Sequence, residues 1–314
     1  MIVTVTLNPS LDEWMRLPAI RVGRLNRASA FTRYPGGKGL NVSRVVRELG
    51  GRTTALGFAG GEDGAILRAL MDRLGIRHEL VAIPGSTRNN YKILTEHPKA
   101  LTEINTAGPR IAPASLRTLA RRVLARRRRA ACVVFSGSLP PGVPASIYAR
   151  WIRVLSARGI ATVLDASGAG LRQGLSARPW LIKPNRQEAE ELLGLTLRTR
   201  QRAVEAVRML LRRGPEAVIL SLGGEGAVAG CASAQELWFA AAPAVRVDSA
   251  VGAGDSLVGG FVVGWTSTRS FGAALRLGVA CGTATAMTPG TQLCHQENVQ
   301  RLLPRVRLQR LQAA

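Results

Sequence analysis

Lysine is almost missing from this chain. Only Lys38, Lys92, Lys99 and Lys183 occur among its 43 basic residues, while Asp and Glu together number 20, so the net charge of +23 is carried by arginine. Aromatic residues are scarce as well, at 4%. A single-strand nucleic-acid platform interleaves basic residues with stacking aromatics, and no such interleaving occurs. The four cysteines (Cys132, Cys231, Cys281, Cys294) are scattered and form no CxxC. That excludes a zinc ribbon or disulfide scaffold and predicts buried thiols in a reducing compartment, the cytoplasm. His78, His97 and His295 have no metal-ligand spacing and no Ser-His-Asp partners. No apolar run approaches the roughly 20 residues a bilayer requires. The opening run 1–7 alternates like a strand, with no basic region or cleavage site, so neither a membrane span nor a secretory signal is expected.

What is present is enough for one large α/β domain over residues 1–314. Nucleic-acid binding is the rival, non-enzymatic reading of the charge. Against it, the arginines are spread along the chain. Their densest run, Arg121-Arg122 to Arg126-Arg127-Arg128-Arg129, falls where a helix should end before a strand and reads as a solvated face. In such a chain the retained lysines stand out: Lys38 lies in a glycine loop and Lys183 precedes Pro-Asn. A compact ammonium makes point-charge contacts where arginine offers a planar fork, so phosphate is the expected partner.

Hydrophobic periodicity predicts strands at 2–7, 53–58, 131–136, 161–165, 181–183 and 217–221, alternating with helices at 40–49, 64–74, 144–157, from about 186, and 254–266. Repeated β-α-β units predict a mostly parallel sheet with helices on both faces, and ligands beyond the carboxyl ends of its strands. Segments 12–34 and 88–106 break the rhythm and read as extra strands forming a small lid over that edge.

Three stretches carry chemistry. In Asp248-Ser249-Ala250-Val251-Gly252-Ala253-Gly254-Asp255 the glycines allow a tight turn that aims N–H groups at one point, and the helix that follows adds its positive end. Asp255 at its mouth is placed to take a proton from a hydroxyl, or merely to cap the helix. Pro35-Gly36-Gly37-Lys38-Gly39-Leu40-Asn41 is a glycine turn into a helix, but not a Walker A loop, because Gly39 stands where Ser or Thr would. In Lys183-Pro184-Asn185-Arg186-Gln187-Glu188 the amide and the carboxylate lie on one face of a first helical turn. There they form a capping box or hold hydrated Mg²⁺ near phosphates.

In this order the stretches resemble the two signatures and the intervening nucleotide motif of the ribokinase-like (PfkB) sugar kinases, over nearly the whole chain. The resemblance implies a three-layer α/β/α fold with a small β lid, ATP and Mg²⁺ as requirements, K⁺ as a candidate ion, and a homodimer built through lid strands. Leu7-Asn8-Pro9-Ser10-Leu11-Asp12, Thr87-Arg88-Asn89 and Ser136-Gly137-Ser138 are similar to the phosphofructokinase and tagatose-6-phosphate kinase branch. By that resemblance Asp12, Gly37 and Asn41 bind sugar hydroxyls. Arg88 and Lys38 meet the phosphate already on the sugar, and Ser136, Gly137 and Ser138 line the pocket. Lys183, Asn185, Glu188, Ser221, Gly223 and Gly226 hold ATP, with Mg²⁺ reached from Asn185 and Glu188 through water. Asp255 is the base beside Gly252, Ala253 and Gly254. Asn105-Thr106-Ala107-Gly108-Pro109 departs from the Asn-Glu-Pro-Gly-Pro of 1-phosphofructokinases, whereas Gly290-Thr291-Gln292-Leu293-Cys294 is similar to the minor 6-phosphofructokinases. The substrate therefore stays open between fructose 1-phosphate and fructose 6-phosphate, with tagatose 6-phosphate or an unphosphorylated sugar as alternatives.

Overall fold

The structure, a computed structural model, describes residues 1–126 and 130–312. Its strands are β1 (Ile2–Thr6), β2 (Ser10–Leu17), β3 (Ala30–Gly36), β4 (Thr53–Ala59), β5 (Arg77–Ala82), β6 (Arg88–Glu96), β7 (Lys99–Asn105), β8 (Cys132–Ser136), β9 (Ala161–Asp165), β10 (Leu181–Ile182), β11 (Ala217–Ser221), β12 (Gly226–Cys231), β13 (Glu236–Ala241) and β14 (Arg307–Arg310). Its helices are α1 (Lys38–Glu48), α2 (Gly61–Arg73), α3 (Pro113–Leu124), α4 (Ile147–Ser156), α5 (Gly168–Leu175), α6 (Arg186–Leu193), α7 (Arg200–Arg212), α8 (Ala253–Thr268), α9 (Phe271–Ala286) and α10 (Gln296–Leu302).

Ten strands form one sheet in the order β14-β13-β12-β11-β10-β9-β8-β1-β4-β5. It is parallel from β5 to β11, and β12, β13 and β14 continue it antiparallel. The strand pattern sorts the core by period 2. Val3, Val5, Val133, Phe135, Val218 and Leu220 face one apolar layer, while Ile2, Cys132, Val134, Ala217 and Ile219 face the other. Helices α3, α4 and α7 cover the first layer, and α1, α8, α9 and α10 the second. This is the three-layer α/β/α arrangement expected from the sequence. Chain order reverses on the two sides of β1, with β4 on one side and β8 on the other, and crevices open at such switch points.

The same period sets the site. Thr6 pairs with Ser136 and Ser136 with Asp165 at the carboxyl ends of β1, β8 and β9. Each has the parity of the residues facing α1 and α8, so their side chains converge on that layer rather than the opposite one. Helix α8 reaches this layer closely because it has glycines at its contacts. A Cβ at Gly259 would lie 2.7 Å from Val45 Cβ, and one at Gly260 would lie 2.6 Å from Cys281 Sγ.

A second sheet, in the order β3-β2-β6-β7, is built from the two rhythm-breaking segments. The second segment is strand almost throughout, whereas only the ends of the first are: 18–29 is irregular. Several elements were not legible. β12 (GAVAGC) lacks the β-branched pattern, and α9 (FGAALRLGVACGTATA) is buried nearly all round, which removes amphipathic contrast. The arginine run also behaves differently from a solvated face where it is described. Arg122 Nη1 donates to Glu79 O and Arg126 pairs with the Glu79 carboxylate, tying α3 to β5; Arg127 to Arg129 lie outside the described residues. Arg68 and Arg213 likewise cap backbone carbonyls, of Leu80 and Leu192. All four cysteines are free and buried.

Candidate active site

Asp165 is the centre of the charge layout. It is fully buried at the end of β9, and its Oδ1 accepts from both Lys38 Nζ and Lys183 Nζ at 3.2 Å. Burial alone would raise its carboxyl, but Lys183 and Lys38 overcome that and hold it below the usual carboxylate range. Lys38 enters from the first turn of α1 and lies 3.8 Å from Glu188 Oε1 as well. Asp165 above all holds the Lys38 ammonium above the ordinary amine range, against the cost of burial.

Asp255 lies opposite, in the first turn of α8. The helix is capped by Gly252 in the left-handed region (φ 79°), with no side-chain cap. Asp255 therefore does not cap its helix. Its Oδ2 accepts from Asn41 Nδ2 at 2.8 Å, and Oδ1 has no hydrogen-bond partner among the described residues. Burial, followed by repulsion from Asp165, pushes its carboxyl up to about 6, and Lys38, Asn41 and Lys183 restrain it. A carboxylate with that affinity for protons and one free oxygen can accept a proton near neutral pH. In the Gly252 turn, Ala253 N–H is already bonded to Ala250 O, so the first-turn amides of Gly254 and Asp255 are the open donors. A side chain at Gly254 would stand 3.4 Å from Lys183 Nζ, which puts the ammonium beside these donors. Lys183, 4% exposed, extends from β10 and completes an anion pocket lined by N–H groups and an ammonium.

Glu188 and Asn185 form a capping box at the start of α6: Asn185 Oδ1 accepts from Glu188 N at 2.8 Å, and Glu188 Oε2 accepts from Asn185 N at 2.9 Å. Ser221, at the end of β11, bridges to Asn185 in parallel. Gly223 (φ 62°) and Gly226 (φ 110°) follow as turn positions beyond the same sheet edge. The nucleotide residues expected from sequence therefore sit along one rim, next to Lys183.

A second cluster lies at the root of the small sheet. Asp12 is buried on β2, and its Oδ1 accepts from Ser10 Oγ at 2.9 Å and Asn90 Nδ2 at 3.1 Å. Gly36 must be glycine there, since a Cβ would come within 2.2 Å of Asp12 Oδ1. Gly37 (φ 107°) packs against Thr6 and Pro9. Arg88 is half-buried at the start of β6 and donates to Asn8 O (3.1 and 3.3 Å), Asn90 Oδ1 (3.2 Å) and Thr106 O (3.3 Å). Asn8 Nδ2 meets Ser138 Oγ at 3.2 Å, while Ser136 Oγ is buried with no partner among the described residues. A Cβ at Gly137 (φ 95°) would stand 4.0 Å from Lys38 Cβ, so this turn lies between the two clusters.

The structure thus gathers Asp255, Gly252, Ala253, Gly254, Asn41, Lys38, Lys183 and Glu188 around Asp165, and Asp12, Arg88 and Ser138 nearby. Two residues expected at the sugar have protein partners here: Asn41, expected at sugar hydroxyls, donates to Asp255, and Lys38, expected at the sugar's phosphate, pairs with Asp165 and Glu188. Asp165, Asn90 and Arg44 are not singled out by the sequence, and Asn8 and Ser10 stand out there only as members of the run 7–12. Their contacts become visible when the strands are brought together.

Residues 5–298 match the model of the pfkB family of carbohydrate kinases. The chain is 36% identical over 311 residues to the 1-phosphofructokinase of Bacillus subtilis, covering 99% of this chain and 100% of the relative. It is 36% identical over 301 residues to the ATP-dependent 6-phosphofructokinase isozyme 2 of Mycobacterium tuberculosis, covering 96% and 88%. The solved phosphofructokinase-2 of Escherichia coli in complex with substrates and products superposes with a TM-score of 0.92 at 31% identity, over 97% of this chain and 99% of that one. The same Escherichia coli protein has been solved in complex with potassium.

Proposed function

The chain belongs to the pfkB family of carbohydrate kinases and is a sugar phosphotransferase with an alcohol group as acceptor, and from that premise we propose that it transfers the γ-phosphoryl group of ATP to a ketohexose monophosphate, giving fructose 1,6-bisphosphate. The observation that carries this reading is Asp255: buried, free at one oxygen, and next to the open amides of the Gly252 turn and the Lys183 ammonium. The full-length relatives named 1-phosphofructokinase and 6-phosphofructokinase isozyme 2 support the substrate class.

A sugar hydroxyl gives its proton to Asp255 Oδ1 as its oxygen bonds to the γ-phosphorus and the bond to the β-phosphate oxygen breaks, releasing ADP. The Gly252–Gly254 turn, Lys183 and Lys38 meet the charge on the transferred group, which is where most catalysis of this reaction lies. Asp12, held by Ser10 and Asn90, orients the sugar. Arg88 and Ser138 receive its existing phosphate, with Arg88 exchanging some of its present carbonyl contacts for phosphate oxygens. Asn185, Glu188, Ser221, Gly223 and Gly226 hold the nucleotide.

For magnesium the donor set fits a hydrated ion carried by the nucleotide. Among the described residues no cluster of three or more His, Cys, Asp or Glu gathers, and Glu188 Oε1 is the carboxylate oxygen left outside the capping box. When bound, the ion neutralises phosphate charge; these residues would meet it through water. Potassium is proposed for this chain only by likeness to the Escherichia coli complex. The small sheet is proposed as a lid and as a dimer surface, because every residue of β7 is exposed and Phe31, Leu101 and Ile104 are bare. No helix among the described residues is long and apolar enough to cross a membrane.

A coupled ADP-release assay with fructose 1-phosphate, fructose 6-phosphate, tagatose 6-phosphate, fructose and ribose tests the reading. One phosphorylated ketose should turn over well above the rest; turnover of unphosphorylated sugars alone would overturn the role of Arg88.

A further inference from the structure

Asn41 is committed at both ends of its amide. Nδ2 donates to Asp255 Oδ2 at 2.8 Å, and Oδ1 accepts from Arg44 Nη1 at 3.1 Å. The two ends of an amide have nearly the same shape, so its orientation is set by its partners. A guanidinium has donors only, so the oxygen must face Arg44 and the NH₂ must face the carboxylate. Arg44 is itself fixed from three directions. Nη1 also donates to Pro35 O (3.3 Å), Nη2 donates to Thr291 O (3.3 Å), and the guanidinium lies 5.7 Å from the centre of the Tyr34 ring. These partners come from the strand that leaves the small sheet and from the loop after α9, so the amide is aligned only when both are docked against α1.

The geometry assigns Arg44 as a positioning residue for the reaction: it locks the Asn41 amide so that one oxygen of Asp255 is held and the other is presented to the sugar hydroxyl. This rests on the proposed role of Asp255. Without Arg44 the amide can turn its oxygen toward Asp255, which suits only the protonated acid. Asp255 is also faced by Asp165 at the end of β9, Lys38 from the first turn of α1 and Lys183 beyond β10, with Glu188 reaching it through Lys38. Asp12 and Asp255 both act on Arg44, which burial lowers to about 10. Asp165, Lys38, Lys183, Glu188 and Asp12 all stay unchanged in the variants below.

The test is the pH profile of kcat for Arg44→Met, Arg44→Lys, Asn41→Ala, the Arg44→Met/Asn41→Ala double variant and Asp255→Asn, each at saturating MgATP and sugar phosphate. A hydrogen bond to a charged group contributes enough to move a pKa by about one unit. Arg44→Met should therefore move the acidic limb of kcat up by about one unit, lowering kcat about fivefold at pH 6 and about twofold at pH 7, with KM for ATP within about twofold. Arg44→Lys should recover part of both. In the Asn41→Ala background, Arg44→Met should move the limb no further. If Arg44→Met is too unstable to purify, the comparison of Arg44→Lys with Asn41→Ala carries the same readout. An unmoved limb in Arg44→Met or Arg44→Lys, while Asp255→Asn is inactive, overturns the relay alone. An active Asp255→Asn enzyme overturns the reading of the base on which it stands.

Discussion

Replacing Asp165 with Asn removes a charge and leaves the shape of the side chain almost unchanged. The carboxylate is fully buried, and its Oδ1 is 3.2 Å from each of two ammonium groups. Their losses are unequal. Lys38 keeps Glu188 at 3.8 Å and its side chain is 34% exposed, so its share is that of a solvent-screened pair, below about 1 kcal/mol. Lys183, 4% exposed, has no other acidic partner among the described residues. Breaking a buried pair from one side costs about 3–5 kcal/mol. Against it stands relief at Asp255, whose carboxyl Asp165 pushes up, worth on the order of 1 kcal/mol. The net is about 3 kcal/mol, or roughly 5 °C in Tm for a chain of this size. In the parent protein Asp165 has a depressed pKa, so its contribution is present above the unfolded carboxylate range and is lost as pH falls below it. Thermal unfolding followed by circular dichroism, from neutral pH down through the carboxylate range, measures both. A Tm deficit under about 1 °C at pH 7, or one that keeps its full size in strong acid, would refute the assignment of Asp165 as the shared counter-ion.

Further outcomes follow from the same geometry. Asp255 has a raised pKa, so its contribution to stability is complete below its ordinary value of 3.8 and is lost as pH rises through about 6. Activity runs the opposite way, and kcat should fall as pH drops below about 6; a flat profile to pH 5 would contradict it. For the same reason Asp255→Asn should unfold at a higher temperature at pH 8, by on the order of 2 kcal/mol in stability, and calorimetry showing destabilisation would count against a strained buried base. Gly36→Ala would place a methyl 2.2 Å from Asp12 Oδ1, so KM for the sugar should rise at least about tenfold with KM for ATP little changed. Equal rises would mean that Asp12 does not face the sugar. Gly252→Ala meets both a left-handed backbone (φ 79°) and Leu293 at 2.6 Å. It should lower kcat on the order of 10²-fold, since the turn carries the open amides, and unaltered turnover would remove the turn from the mechanism.

Much of this arrangement is legible in the residues. The β-α-β rhythm gives the sheet, and each glycine stretch gives a turn at its carboxyl edge, because backbone conformation and anion binding are local properties. What the sequence does not show is contact at a distance. Asn41 and Asp255 are 214 positions apart, and nothing near either announces that one amide binds the other carboxylate. Asp165 ends a strand as many solvent-facing acids do; only the parity of β8, β9 and β10 turns it inward onto two lysines. Lys38 shows the limit most clearly. Its rarity singles it out, but the choice between sugar phosphate and a buried carboxylate as its partner depends on how α1 sits against β9. Among the elements that went unread, β5 and β14 lie at the sheet edges and α9 is buried nearly all round, where periodicity carries little information.

The central claim is that Asp255 takes the proton from the acceptor hydroxyl. Single-turnover phosphoryl transfer from MgATP, measured for the parent and for Asp255→Asn with whichever ketose phosphate turns over best, tests it most directly. The account predicts that the variant still binds both substrates and keeps its fold, while the transfer rate drops by a factor on the order of 10² or more. Near-normal transfer in that variant would contradict it.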